Sequence, residues 1–161
     1  PPRPGRTLND TMILLGIGAA TVVVAAGLGT AACDERLSDI TGPTGNLQPT
    51  FSSIQASIFE AGDSSGRPGC ISCHNTQFAL FNGRLDLTSA QAYNRLVNAA
   101  SSGKPGAVRV VPGDPENSYL IHKLEGRSGI VGQRMPISGP FLTPGQIAVI
   151  ERWIEIGAPN N

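Results

Sequence analysis

Charged and aromatic residues are scarce in this sequence. Of its 161 residues, 15% are charged and 5% are aromatic, and twelve Lys or Arg balance twelve Asp or Glu. No run of basic residues occurs, so nucleic acid is not an expected partner. Twenty glycines and thirteen prolines indicate instead a chain with much irregular loop.

Several familiar chemical sites are also missing. The three cysteines are an odd number, which does not fit a framework of disulfides. The glycine-rich stretch 126–133, GRSGIVGQ, lacks the Lys-Ser/Thr ending of a phosphate-binding loop. No nucleophile and general base occur in a recognisable arrangement, so the protein is not expected to be an enzyme.

The most informative stretch is Cys70-Ile71-Ser72-Cys73-His74. The spacing C-x-x-C-H is the attachment signature of c-type haem. Two thiols three positions apart can both reach vinyl groups along one porphyrin edge and form thioether bonds, and the histidine that follows is carried under the ring. We therefore predict that Cys70 and Cys73 bind one haem c covalently and that His74 is the proximal iron ligand.

Two other functions of a C-x-x-C pair fit this sequence less well. A structural zinc site needs four Cys or His ligands, and only Cys33 and His122 remain, which form no second knuckle. A thioredoxin-like redox pair requires a βαβ context, and no alternation of strands and helices surrounds this pair. Haem also suits the composition, because a large apolar cofactor supplies interior that so few aromatic residues cannot.

Residues 11–32 form an uncharged run of 22 positions, TMILLGIGAATVVVAAGLGTAA. As a helix the run spans about 33 Å, enough to cross a hydrocarbon core. Arg3 and Arg6 precede it and acidic residues follow, which predicts a cytoplasmic N-terminus and a periplasmic haem domain. Thr30-Ala31-Ala32-Cys33 resembles a lipoprotein box, so a lipid on Cys33 is the alternative to a retained transmembrane anchor.

The domain prediction has three parts: an anchor at 1–33, a flexible linker at 34–49 and a cytochrome c domain at 50–161. The linker sequence is polar and rich in Gly and Pro. Helical spacing of apolar residues begins after Thr50, and capping patterns start at Thr88, Asp114 and Thr143. With no convincing sheet and no internal repeat, these patterns predict an all-α domain around one covalent haem.

This order of elements resembles the small class I cytochrome c domain. It is closer still to cytochrome c domains of planctomycete-like bacteria, in which phrases similar to VVPGDPENSYL, MP and LTPGQIAVIERWIEIGAP recur. The resemblance covers about residues 49–159. It implies that Met135, which precedes Pro136 in a loop, is the distal iron ligand.

The alternative distal ligand is His122, which would give bis-His iron. Its place between Leu120 and Leu124 is more typical of a histidine at a polar edge. Arg84, Arg109 and Arg134 are candidate partners for the haem propionates, or else surface residues.

The expected function is single-electron transfer by a membrane-anchored monohaem c-type cytochrome with His/Met ligation. Its expected partners are redox proteins, as in a respiratory or photosynthetic membrane complex, and its location is the periplasmic face of a bacterial inner membrane. Two alternatives stay open: a haem enzyme or ligand sensor with an open distal site, and a structural subunit in which haem mainly supports folding.

Overall fold

The computed structural model of this protein describes residues 42–161. The predicted membrane segment at 11–32, Cys33 and linker residues 34–41 lie outside the described residues. Within residues 42–161, no helix combines the length and the apolar composition that a membrane span requires.

Short helices joined by long loops form the described part of the chain. They are α1 (Phe51–Ile54), continued by a π-helix (Gln55–Glu60), a 3-10 helix (Cys70–Ser72), α2 (Ala92–Leu96), α3 (Tyr119–Glu125) and α4 (Pro144–Glu155). Residues 42–161 contain no β-strand, and the few β-bridges are isolated ones such as Val97 with Val110 and Ala100 with Val108. The predicted helical class of the domain is therefore confirmed for residues 42–161.

Two helix starts lie where the sequence predicts them. The Thr50 hydroxyl accepts a hydrogen bond from Ser53 N at 3.3 Å, and α1 follows at once. Before α4, Gln146 N donates to Thr143 Oγ1 at 3.2 Å, and Thr143 N donates to Gln146 Oε1 at 2.8 Å. These bonds satisfy groups that the first turn of a helix leaves free, so local sequence sets both starts.

Two other predicted helix starts are wrong. The Thr88 hydroxyl donates to Asp86 Oδ1 at 2.8 Å instead of capping a helix, and α2 begins later. Asp114 accepts a hydrogen bond from Asn117 N at 3.1 Å within a turn, and α3 begins later. In each case the short polar side chain forms a hydrogen bond with a neighbouring residue in a loop instead of capping a helix. The capping pattern in the sequence does not distinguish these two outcomes.

The two ends of the described chain meet around Phe51. Its ring centroid lies 5.6 Å from that of Trp153 on α4 and 5.1 Å from that of Tyr93 on α2. Trp153 is fully buried and its Nε1 donates to Pro159 O at 2.9 Å, while Tyr93 Oη donates to Ala158 O at 2.9 Å. Both aromatic residues therefore pack in the protein core, with their polar atoms satisfied.

Part of the predicted linker packs against the helical domain. Leu47 is 2% exposed and belongs to the apolar core. Thr44 is also buried, and its Oγ1 accepts a hydrogen bond from Gln146 Nε2 at 2.9 Å. The packed domain thus begins before residue 50, because these two side chains find partners beside the start of α4.

Candidate haem-attachment site

The C-x-x-C-H motif folds as one tight turn. A 3-10 helix covers Cys70–Ser72, and the N–H groups of Cys73 and His74 both donate to Cys70 O, at 3.2 and 2.8 Å. Both cysteines are free thiols. A single turn therefore carries two sulfurs and an imidazole, the set of donors that the sequence predicts for covalent haem.

The two thiols have different surroundings. Cys70 is half-buried, and its Sγ donates to Ile58 O at 3.4 Å. Burial raises the pKa of the Cys70 thiol to about 11, and the positive charge of Arg67 opposes this rise. Cys73 is exposed. The first thiol of the motif is thus held against the preceding helix, whereas the second faces solvent.

His74 is half-buried, and its Nδ1 is enclosed without a hydrogen bond. Burial lowers the pKa of the imidazole, although the backbone of Leu85 and of Asn82 lies close enough to oppose this shift. A lowered pKa keeps the ring neutral near pH 7, and the neutral imidazole is the form that binds a metal. His74 therefore has the protonation state that an iron ligand needs.

The chain that follows the motif is hydrogen-bonded back to it. Leu87 N donates to His74 O at 2.8 Å, and Asn82 Nδ2 donates to Cys73 O at 2.6 Å. Asn75 Nδ2 donates to Ile71 O at 2.8 Å. These bonds fix the backbone of the motif and of the residues that follow it, including the backbone of His74.

Asp86 organises the same segment and was not identified as a site residue from the sequence. It is 4% exposed. Its carboxylate accepts hydrogen bonds from Thr76 Oγ1 at 2.7 Å, Thr88 N at 3.0 Å and Thr88 Oγ1 at 2.8 Å. The sequence signal that could have identified Asp86 is its position between Leu85 and Leu87. An acidic residue between two apolar residues that tend to be buried requires hydrogen-bond donors as partners.

Arg67 is the second residue that sequence reasoning missed. Its side chain is fully enclosed, and its Nε lies 2.9 Å from Asp63 Oδ2, which is nearly as enclosed. Its Nη1 donates to Ile58 O at 3.2 Å and to Pro68 O at 3.1 Å. Nothing in the local sequence distinguishes this arginine from a solvated one, since three of the four carbonyls that it contacts lie at or just after the end of the preceding helix.

The loop that leads into the motif is tightly apposed to that helix end. A Cβ added at Gly69 would lie 2.2 Å from Glu60 O, and one at Gly62 would lie 2.7 Å from Arg67 O. Such distances exclude any larger residue without a backbone shift. Glycine at position 69 therefore permits the close approach that places Cys70 beside Ile58.

Met135, the predicted distal ligand, lies in a loop that is attached to α3. Met135 is half-buried, and its N donates to Lys123 O at 2.8 Å. Lys123 Nζ donates in turn to Val131 O at 3.0 Å and to Gln133 O. Tyr119 Oη accepts from Val131 N at 2.9 Å. Side chains of α3 thus hold the glycine-rich loop that the sequence could only describe as aperiodic.

Electrostatics relates this loop to the motif. Besides burial, the positive charges of Lys123 and Arg109 lower the pKa of His74. Lys123 is the residue whose carbonyl and ammonium both hold the Met135 loop. The charge of Lys123, on the helix that holds the Met135 loop, therefore acts on His74.

Large apolar side chains are exposed in the two segments that carry the predicted ligands. After the motif, Phe78, Leu80 and Phe81 are 43%, 72% and 84% exposed. In the Met135 loop and just after it, the exposed residues are Val131, Ile137 and Phe141. Six of the seven large apolar side chains that are exposed in residues 42–161 thus belong to these two segments.

The alternative ligand His122 and two of the three candidate propionate partners are engaged elsewhere. The Nε2 of His122 lies 2.7 Å from Glu116 O, in agreement with the polar-edge position expected for it. Arg109 is buried and donates to Arg95 O and Gly83 O, both at 2.8 Å. Arg134 donates to Leu124 O at 2.7 Å, with its guanidinium 4.0 Å from the Phe141 ring centroid. Arg84 is exposed.

The residues present fit a covalently bound haem. Two free thiols and an imidazole on one turn are the donors that covalent haem attachment requires, and the Met135 thioether is a suitable second axial donor. The His74 Nδ1 is buried without a hydrogen bond within residues 42–161. In the described part of the chain, no three His, Cys, Asp or Glu side chains converge as a metal-binding group.

Comparison with known proteins adds no relative. No protein-family profile matches the chain, and neither the curated proteins nor the solved structures gave a significant match.

Proposed function

We propose that this chain is a monohaem c-type cytochrome, tethered to a membrane, that carries single electrons. The observation that supports this function best is the motif turn, in which the backbone N–H groups of Cys73 and His74 both donate to Cys70 O, so that two free thiols and an imidazole lie on one turn. When bound, haem supplies an iron that changes reversibly between the ferric and ferrous states.

The chain contributes attachment and ligation. Cys70 and Cys73 would form the two thioethers, and His74 would present a neutral nitrogen to the iron. Met135 would supply a soft sulfur, which favours the ferrous state and raises the reduction potential relative to a second imidazole. Lys123 and Tyr119 hold the Met135 loop, so the sulfur would be presented by a supported backbone.

The chain also contributes an apolar environment. Phe78 and Phe81 follow the motif, and Ile137 and Phe141 follow Met135. If these side chains cover the porphyrin, they exclude water from the iron, and exclusion of water is one means by which a protein raises a haem potential.

The proposed partners follow from electron transfer, and the proposed location follows from the N-terminal sequence. A redox protein, as a subunit of a respiratory or photosynthetic membrane complex, would donate or accept the electron on the periplasmic side. If residues 11–32 are a retained anchor, Cys33→Ser leaves the protein in the membrane fraction. Release of that variant into the soluble fraction would show instead that a lipid on Cys33 tethers it.

The test of the proposal is production of the full chain in a bacterium that attaches haem to exported proteins. We expect the mass to increase by one haem and the reduced protein to show a six-coordinate low-spin spectrum that carbon monoxide does not change. The Cys70→Ala, Cys73→Ala double variant is the control and should carry no haem. A wild-type chain without haem would overturn the proposal, and a spectrum altered by carbon monoxide would favour a ligand-binding enzyme or sensor.

A further inference from the structure

Arg67 is the most deeply buried charged side chain in residues 42–161, with 1% of its surface exposed. A cation removed from water is tolerated only where its charge and its N–H groups are satisfied. Here Asp63 balances the charge, and four backbone carbonyls accept the remaining hydrogen bonds. So complete a set of partners indicates a defined role for this residue.

The carbonyls that Arg67 contacts belong to two segments. Those of Ser57 at 3.3 Å and Ile58 at 3.2 Å lie at the end of the π-helix, and that of Ala61 at 3.5 Å follows it. That of Pro68, at 3.1 Å, belongs to the chain entering the motif. Carbonyls at a helix end lack partners within the helix, and a cation is favoured there. Arg67 therefore joins the end of the first helix to the approach to Cys70.

One carbonyl links Arg67 directly to the motif. Ile58 O accepts a hydrogen bond from Arg67 Nη1 at 3.2 Å and one from Cys70 Sγ at 3.4 Å. Gly69 supports the same arrangement, because a Cβ there would lie 2.2 Å from Glu60 O. The position of the first thiol is thus defined by a carbonyl that Arg67 holds.

We propose that Arg67, paired with Asp63, is a positioning residue for covalent attachment at Cys70. Arg67 bonds to Ile58 O and to the loop that leads into the motif, and so fixes the Cys70 sulfur in place. We expect this placement to precede thioether formation at the exposed Cys73. This inference rests on the proposed function, because it concerns the thioethers that haem would form.

The chemistry explains why a fixed first thiol matters. Each thiol adds its sulfur to one carbon of a vinyl group and its hydrogen to the other carbon. The S–H bond and the vinyl π bond are replaced by S–C and C–H bonds, and no electrons are gained or lost overall. Two such additions on one porphyrin edge require both sulfurs at the right separation, so prior placement of Cys70 favours attachment at both ends.

The first arm of the test needs no haem. The full chain is produced without haem attachment, alkylated with iodoacetamide, and the modification of Cys70 and Cys73 is followed by peptide mass spectrometry. In Arg67→Gln, loss of the positive charge acts to raise the pKa of the Cys70 thiol and to slow its reaction, whereas release of Ile58 O exposes the sulfur. We expect exposure to dominate, so that Cys70 reacts about tenfold faster while Cys73 reacts at its wild-type rate. Arg127→Gln, which removes a partly exposed cation paired with Glu116 and Glu125, is the control and should change neither rate.

Further variants separate positioning from general destabilisation. Arg67→Lys retains the charge beside Asp63 and should restore much of the slow Cys70 rate. Gly69→Ala displaces the entry loop without changing Arg67 and should accelerate Cys70 alone. If Arg67→Gln loses its helical circular dichroism and so fails to fold, the Cys70 rates of Arg67→Lys and Gly69→Ala test the inference in its place. A Cys70 rate that stays unchanged or falls, or a Cys73 rate that rises equally, would overturn the inference.

The second arm measures attachment itself. When haem is supplied, Arg67→Gln should yield chains whose haem is held by one thioether, at Cys73, whereas wild type forms both bonds. Peptide mass spectrometry distinguishes the two products. Two thioethers in every Arg67→Gln chain would contradict the positioning role. If wild type carries no haem, the proposed function fails, while the alkylation rates still judge whether Arg67 positions Cys70.

Discussion

The backbone N–H of Met135 donates to the carbonyl of Lys123 at 2.8 Å, so the predicted distal ligand is bonded directly to helix α3. Lys123 bonds the same loop a second time, because its Nζ donates to Val131 O at 3.0 Å. Burial lowers the pKa of Lys123. The glycine-rich segment around Met135 is thus a supported structure rather than a free loop.

Lys123→Met should loosen this loop without altering α3. The substitution keeps the apolar stem but removes the donors to Val131 O and Gln133 O, at a cost of about 1 kcal/mol at this partly exposed site. Hydrogen exchange at the Met135 amide should accelerate, while exchange in α4 stays unchanged. Equal protection of Met135 in both proteins would contradict the role assigned to Lys123. Arg152→Gln, on the exposed side of α4, is the control.

Met135→Ala should change the iron site of the haem-loaded protein, and His122→Ala should not. Loss of the sulfur donor is expected to abolish the sulfur-to-iron charge-transfer band, lower the reduction potential and open the iron to carbon monoxide. The check is the absorption spectrum of each variant, oxidised and then reduced with carbon monoxide. If the His122 variant is the one that changes, the iron is bis-His and Met135 is a packing residue.

Asp86 should make the domain sensitive to acid. Burial alone would raise the pKa of Asp86, but hydrogen bonds from Thr76 and Thr88 outweigh burial and hold it below its ordinary value. A carboxylate with a depressed folded pKa stabilises the fold above its unfolded pKa, about 3.9, and this stability is lost as pH falls through the folded value.

The variant that tests this is Asp86→Asn. At pH 7 it should be less stable by about 1–3 kcal/mol, because a buried group loses hydrogen bonds. Below pH 4 the difference from wild type should shrink, since wild type then loses the same contribution. Thermal melts from pH 7 to pH 2 give the comparison, with Glu155→Gln as an exposed control. A difference that is constant over this range would show that Asp86 does not titrate with folding.

Trp153→Ala should destabilise the domain by about 3–5 kcal/mol, with or without haem, because the indole is fully buried. The cavity would lie beside Phe51, whose ring centroid is 5.6 Å away. Urea unfolding of the haem-free chain is the measurement. A loss that appears only in the haem-loaded protein would mean that Trp153 packs on the porphyrin instead.

Local patterns determined those parts of this protein whose partners are close in sequence. The caps at Thr50 and Thr143 depend on residues three positions away, and both helices begin as predicted. The C-x-x-C-H spacing likewise determined that two thiols and an imidazole occupy one turn. The same reasoning failed at Thr88, whose hydroxyl bonds to Asp86 in a loop.

Only the tertiary structure decided which polar residues are buried and what they hold. Arg67 is enclosed because the entry loop folds back on the first helix, and Thr44 is buried because Gln146, far along the chain, reaches it. Likewise, Lys123 and Tyr119 of α3 hold the Met135 loop through hydrogen bonds to Val131, which the sequence pattern does not predict. The free energy of a buried charge or hydrogen bond depends on partners brought together by folding, whereas a cap or a motif spacing depends only on neighbouring residues.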